Sequence, residues 1–295
     1  MVRSIKSALS IVLAILFILA VTPESFSQKK SREKLPKGAV RLEYNFKENK
    51  PVSFLSATKI VWTMDYEGQT FEVNITSNLG CTVKSTGKQD KNLKLEIHMD
   101  TLYNYVETPQ GSSGGSVKEV EGKVFNMVLS PYGGEMDLSE AEKIKFTIEG
   151  SGERNLGESF ISYFPDLPKK PVKKGEKWVA NDTIKSTSAT SSIQQTVQSE
   201  NTFEGIEKVD GIDCAKITSV LTGSRDQKAQ NMGMDVRTKG NFTGTEELYF
   251  AIKEGYYIKQ VVKTKLNGNV DLTGDQGNMS FPMVEDLVST NAIRK

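Results

Sequence analysis

The sequence has few of the residues that do chemistry. It holds one histidine, two cysteines and two tryptophans in 295 residues. One histidine and two distant cysteines cannot make a zinc site without several carboxylates. No Walker or dinucleotide fingerprint occurs, so no cofactor is implied. His98 lies on the polar side of an alternating run (Leu93, Leu95, Ile97). Gly111–Gly115 (GSSGG) fits G-x-S-x-G, but a nucleophile elbow needs strand, sharp turn and helix, and no helix pattern follows. Ser56-Ala57-Thr58-Lys59 fits S-x-x-K without the companion motifs of that enzyme class. Glycan hydrolysis needs two facing carboxylates, and nothing in the sequence singles out a pair. No catalytic, cofactor-binding or metal-ligating residue is therefore assigned.

An excess of charge is also missing. The chain has 38 basic and 37 acidic residues. Without residues 1–27, which hold Arg3, Lys6 and Glu24, 36 of each remain. A balanced chain has no strong electrostatic reason to seek nucleic acid or an anionic membrane.

What is present begins with an address. Arg3 and Lys6 form a basic start, Ala8–Val21 is apolar except for Ser10, and Ser25-Phe26-Ser27 offers small residues before Gln28. These are the three regions of a secretory signal peptide, residues 1–27. The apolar run is shorter than the roughly 20 residues that span a bilayer, so no transmembrane span is expected in the mature chain. Residues 28–38 (QKKSREKLPKG) are charged and read as a flexible leader. An exported chain meets an oxidising compartment. Two readings of Cys81 and Cys214 stay open: one disulfide, or two buried thiols acting as small apolar side chains.

The rest of the chain is written in period two. Val40, Leu42, Tyr44 and Phe46 alternate with polar residues, and so do Leu93, Leu95 and Ile97, while the runs at 59–66 and 70–78 read as two more strands. Glu67-Gly68, Asp210-Gly211 and Glu254-Gly255 are hairpin signals between such runs. Short helices are expected near Ser139 and over 155–164, where Leu156, Phe160, Ile161 and Phe164 share a helical face before Pro165. GSSGGS at 111–116 reads as a loop and SRDQKAQNM at 224–232 as a polar, mobile stretch. Residues 269–272 and 281–287 read as short edge strands. The expected fold is all-β, an antiparallel sandwich or half-barrel of about 14 to 16 strands. One tryptophan and one cysteine in each half hint at an internal duplication.

Residues 164–177 (FPDLPKKPVKKGEK) hold three of the nine prolines and cannot be helical. They read as a stiff connector between two β-rich halves, residues 39–163 and 178–295. Lys169, Lys170, Lys173 and Lys174 make it basic, a candidate contact for an acidic partner. Trp178, Tyr256 and Tyr257 are candidate ligand contacts, because consecutive tyrosines on a strand point to opposite faces.

The stretch L-P-x-x-P-V-x-x-G-x-x-W at Leu167–Trp178, followed by the strand pair at Ile206–Ile217 (IEKVDGIDCAKI), resembles a signature of an uncharacterised family of exported bacterial β-proteins. The likeness covers residues 155–265 and carries no assigned activity. A further likeness is to the LolA-like half-barrels that carry lipids and lipoproteins through the periplasm. It implies a concave apolar groove covered by helices. Asp100-Thr101-Leu102 and Asp182-Thr183-Ile184 resemble an O-glycosylation acceptor of exported proteins.

The expectation is an exported, non-enzymatic binding protein of the periplasm or cell surface, with an apolar small molecule, lipid or lipidated partner in a β concavity. A structural or interaction protein of the cell envelope, binding an envelope protein, is the alternative. A hydrolase acting on envelope glycans is the third.

Overall fold

Phe54, Leu95 and Ile97 have no exposed surface, and each belongs to a run that alternates with polar residues. That pattern demands strands with one face covered. In the computed structural model, residues 35–294 are described apart from 149–151, 188–190, 232–233 and 275–276. The expected signal peptide 1–27 and residues 28–34 of the leader lie outside the described residues.

The chain starts with a short strand β1 (Ala39–Val40) and then three long ones, β2 (Val52–Tyr66), β3 (Gln69–Gln89) and β4 (Asn92–Thr108). Shorter pieces follow: β5 (Gly111–Ser116), β6 (Val124–Leu129), β7 (Glu135–Asp137), helix α1 (Ser139–Glu142), β8 (Lys145–Ile148) and β9 (Gly152–Asn155). A single 3-10 turn covers Leu156–Ser159 and β10 covers Val172–Lys173. Six long strands complete the chain: β11 (Lys177–Thr187), β12 (Ser191–Val209), β13 (Ile212–Asn231), β14 (Met234–Ala251), β15 (Tyr256–Gly274) and β16 (Gly277–Ile293).

Strand makes up 73% of the structure and helix 3%, and the strands form one antiparallel 12-stranded sheet that does not close into a barrel. Its order is β11-β12-β13-β14-β15-β16-β2-β3-β4-β6-β7, with β5 also on β4. β16 pairs with β2 from Met283↔Met64 to Ile293↔Phe54. The two expected halves are thus continuous through the middle of one sheet. The expected edge strands 269–272 and 281–287 are parts of β15 and β16, which lie inside it. Gly111–Ser116 is a strand on β4, and residues 224–231 continue β13 against β14.

One face of this sheet holds the main core. Phe54, Cys81, Leu95, Met99, Phe125, Ile217, Leu248, Phe250 and Tyr257 pack there with Leu42, Tyr44 and Phe46 from the segment after β1. Leu42, Tyr44 and Phe46 show the expected alternation, but only Ala39–Val40 is in a ladder, paired with β10. The segment from 156 to 172 covers the same face through Leu156, Phe160, Tyr163, Phe164, Leu167 and Val172.

The expected connector is therefore a strap on the inner face. Its backbone is tied down: Leu167 N donates to Tyr132 O at 2.8 Å and Tyr44 Oη donates to Pro165 O at 3.0 Å. The expected helix over 155–164 shortens to the 3-10 turn. Phe160, Tyr163 and Phe164 enter an aromatic cluster instead, with Phe160 at 5.0 Å from Phe125 and Tyr163 at 5.3 Å from Phe164.

Candidate functional site: the inner face above the core

Beyond the strap the long strands continue, and alternation fixes what their inner face carries. Residues level with each other across strands form rows. The first row above the core includes Gln260 of β15, opposite Leu248 of β14 and Asn291 of β16. The second runs from Ser219 through Glu246, Val262 and Ser289 to Thr58 and Ser77. The first is apolar at both ends, through Phe203, Ile217, Leu248, Leu79 and Leu102 of the main core, and polar only at Gln260, Asn291 and Ser56, whereas the second is largely polar.

The third row changes character. Leu287 is opposite Ile60, Ile60 opposite Ile75, and Ile75 opposite Val106. All four are half-buried. At about 4.8 Å per strand, the row spans roughly 14 Å. Trp62 and Val73 extend the apolar surface in the next row, and Met64 and Phe71 in the one beyond.

The polar rows are wired together. Gln260 Nε2 donates to Glu246 Oε1 at 2.8 Å, and Asn291 Nδ2 donates to Gln260 Oε1 at 2.7 Å. Thr58 and Ser289 share a hydroxyl hydrogen bond of 2.8 Å, and Ser219 Oγ donates to Asn201 Oδ1 at 2.7 Å. Glu246 is crowded by protein yet keeps part of its surface open. Burial pushes its carboxyl up, and the nearby charge of Asp166 adds to that. Asp166 is itself raised, by burial and then by Asp182, while Lys169 pulls it back.

Further along, a charged strut crosses the inner face. Arg225 Nη1 donates to both carboxylate oxygens of Glu285 at 2.8 Å, and Trp62 Nε1 donates to Glu285 Oε2 at 2.9 Å. Arg225 Nε donates to Gln195 Oε1 at 2.9 Å. Beneath the strut, Phe242, Leu266, Val270 and Met283 form a second buried cluster.

A separate polar hollow of about 510 Å³ is lined by Thr196, Ser224, Asp226, Lys239, Asn241 and Asn267 among others. Asp226 there is already held by Arg237, with bonds of 2.9 and 2.6 Å.

The sequence candidates fall mostly elsewhere. Lys169, Lys170, Lys173 and Lys174 are exposed on the strap, and the aliphatic part of Lys174 lies against Gly205. Trp178 is half-buried at the margin of the main core. Tyr257 is fully buried, 4.9 Å from Phe54, and Tyr256 stacks on Phe46 at 5.5 Å. Both tyrosines thus belong to the core and form no exposed platform.

Cys81 and Cys214 are free thiols. Cys81 faces inward and meets the Tyr163 hydroxyl at 3.4 Å. Cys214 sits in a different cluster with Ala251 and Ile258, while its neighbour Ala215 is in the main core. Adjacent strand residues point to opposite faces, so the two sulfurs lie on opposite sides of the sheet. The disulfide reading is corrected accordingly.

Sequence reasoning missed Glu246, Gln260, Asn291 and the Leu287–Val106 row. One signal was readable: Glu246 shares its parity with Leu248 and Phe250, which places a carboxylate on the buried face.

No family model and no curated protein sequence matches the chain. Among solved structures it is similar to Pseudomonas aeruginosa OccK2 (OpdF), at 8% identity and a TM-score of 0.23, over 84% of this chain and 99% of that one. The same protein in complex with glucuronate gives 8% and 0.25, over 85% and 100%. A DUF1329 family protein from Desulfovibrio piger gives 12% and 0.13, over 79% of this chain and 83% of that one. Scores this low carry no argument about function.

Among the described residues, no group of three or more His, Cys, Asp or Glu is placed to hold a metal ion. No helix among them is long and apolar enough to cross a membrane.

Proposed function

We propose that the protein is an exported, non-enzymatic binding protein that holds an apolar ligand on the inner face of its open sheet. The observation that supports this is the row Leu287–Ile60–Ile75–Val106. Four aliphatic side chains level with one another are only partly buried, on the face whose lower part holds the main core. Apolar surface left open on one face of a sheet is a common mark of an interaction site. The apolar surface ends at a polar belt, which would set how deep a ligand sits. Export rests on the signal-peptide pattern of residues 1–27.

The test is mass spectrometry of an organic extract from the mature protein purified from its native envelope. A stoichiometric lipid or other apolar molecule is expected from the parent protein. It should be lost from Ile60→Asp, which puts a charge in the row. An empty extract, together with no uptake of an added fluorescent hydrocarbon, overturns the reading.

The second reading, an interaction protein of the cell envelope, is favoured by a different observation. β11 has an unpaired edge, and Val179 on it and Val220 on β13 are both more than half exposed on either side of Glu200. A bare edge can accept a partner strand. Crosslinking that captures an envelope protein at Val179, with no ligand in the extract, would favour it.

A further inference from the structure

The chain Glu246–Gln260–Asn291 has a direction, and the direction leaves something unpaired. A carboxyl oxygen accepts from an amide N–H. It draws the amide nitrogen of Gln260 towards itself, at 2.8 Å. That turns Gln260 Oε1 away, to accept from Asn291 Nδ2 at 2.7 Å. Asn291 Oδ1 is then left over, buried and without a hydrogen-bond partner. A buried acceptor left without a partner is costly, so such atoms ask for an explanation.

The charge is also uncompensated. Glu246 makes no ion pair among the described residues, and the charged group that acts on it is another carboxylate, Asp166. The guanidinium on this face, Arg225, is already engaged by Glu285. The next inward position on β14 is Gly244, which has no side chain to cap Glu246. Its level row leads through Thr264 to Leu287 and Ile60. The foot of the apolar surface thus holds a carboxylate and a spare amide oxygen with no cation paired to them among the described residues.

We propose that Glu246 and Asn291 form the head-group site for a single-chain amphiphile with a primary ammonium head, whose hydrocarbon tail lies along Leu287, Ile60 and Ile75. An ammonium group brings three donors and one positive charge, which fits a carboxylate and a free amide oxygen. A fatty acid would set a carboxylate beside Glu246 and Asp166. A neutral alcohol would satisfy one acceptor and leave the charge. The inference rests on the carrier reading and adds the ligand's chemical class.

The test is calorimetric titration of the full chain at pH 7 with dodecylamine, dodecanol and dodecanoate, each below its micelle concentration. One dodecylamine per chain is expected to bind at least ten-fold tighter than either of the others. Glu246→Gln should lose that preference while dodecanol affinity is kept. Asn291→Ala should weaken the amine several-fold, and serves if the first variant does not fold. Equal affinity for the three, or a preference for dodecanoate, overturns the head-group site and leaves the carrier reading standing. No binding of any chain overturns both.

Discussion

Arg225 of β13 grips Glu285 of β16 over the two strands that separate them, with one Nη1 equidistant at 2.8 Å from both carboxylate oxygens. Three flat strand intervals measure roughly 14 Å, about the full combined reach of an arginine and a glutamate side chain, so the pair meets through nearly extended side chains or through coiling of the sheet. Arg225 is level with Gly240 and Gly240 with Gly268, so the two intervening strands carry no side chain in the arginine's own row. Gln195, level with Arg225, and Trp62, level with Glu285, extend it, and four strands are tied across two adjacent rows.

The first prediction concerns that strut. Glu285 is 1% exposed, so Arg225→Ala leaves a buried charge unpaired. The expected loss is about 3–5 kcal/mol in urea unfolding. Arg225→Met combined with Glu285→Gln should recover part of it, because no bare charge remains. A double variant no more stable than Arg225→Ala would sink this account.

The second concerns Gly223, which lies level with Phe242 across the ladder. A Cβ there would collide with the Thr196 carbonyl oxygen and the Phe242 ring. The backbone contact cannot yield as a flexible side chain would. Gly223→Ala should lower stability by about 1–3 kcal/mol, read as a lower thermal midpoint. An unchanged midpoint would mean that the strand relaxes freely.

The third is a pH dependence. Burial pushes the Glu135 carboxyl up to about 7, against the pull of the Ser162 and Phe164 amides on the strap. Its folded form holds a proton that the unfolded chain has already lost. Stability from this group is thus fully present below about pH 4.5 and declines until about pH 7. The decline is at most on the order of 3 kcal/mol, less where solvent screens the carboxyl. Glu135→Gln keeps an acceptor oxygen and cannot ionise, so its advantage over the parent should grow across that window. Equal slopes in the two unfolding series would refute the assignment.

The fourth concerns the thiols. Burial pushes Cys81 up to about 12 and Cys214 up to about 11, and the thiolate is the nucleophile. Native protein at pH 8 should react with neither iodoacetamide nor a disulfide reagent within minutes. Two thiols should react at once in denaturant. Loss of two hydrogens in the intact mass would instead prove a bridge.

Local chemistry made much of the fold readable. Glu67-Gly68, Asp210-Gly211 and Glu254-Gly255 each turn a hairpin, with positive φ at both residues in the first two. Alternation at Leu93, Leu95 and Ile97 identified a buried face. What escaped is set by partners rather than by neighbours. The Gly-rich stretch 111–116 and the polar stretch 224–231 are strands because their backbones pair, whatever their side chains prefer. Leu156, Phe160 and Phe164 lie on one helical face, yet the aromatic cluster takes them without a helix. The Lys run on the strap is conspicuous in sequence and peripheral in space. Glu246, Gln260 and Asn291 lie on three strands, and only ladder register brings them together.

The pairing of β16 with β2 has a kinetic side. Thr58 and Ser289 are 231 residues apart in the chain, yet they share a hydrogen bond. Contacts so remote in sequence close only after a large entropic cost has been met. While β16 is absent, the long edge of β2 is bare and able to pair with a strand of another molecule. The most central seam of the finished sheet is thus the last to be made. Loss of residues from Met283 onward would leave two mismatched edges, and aggregation rather than a smaller folded protein is the form that failure would take.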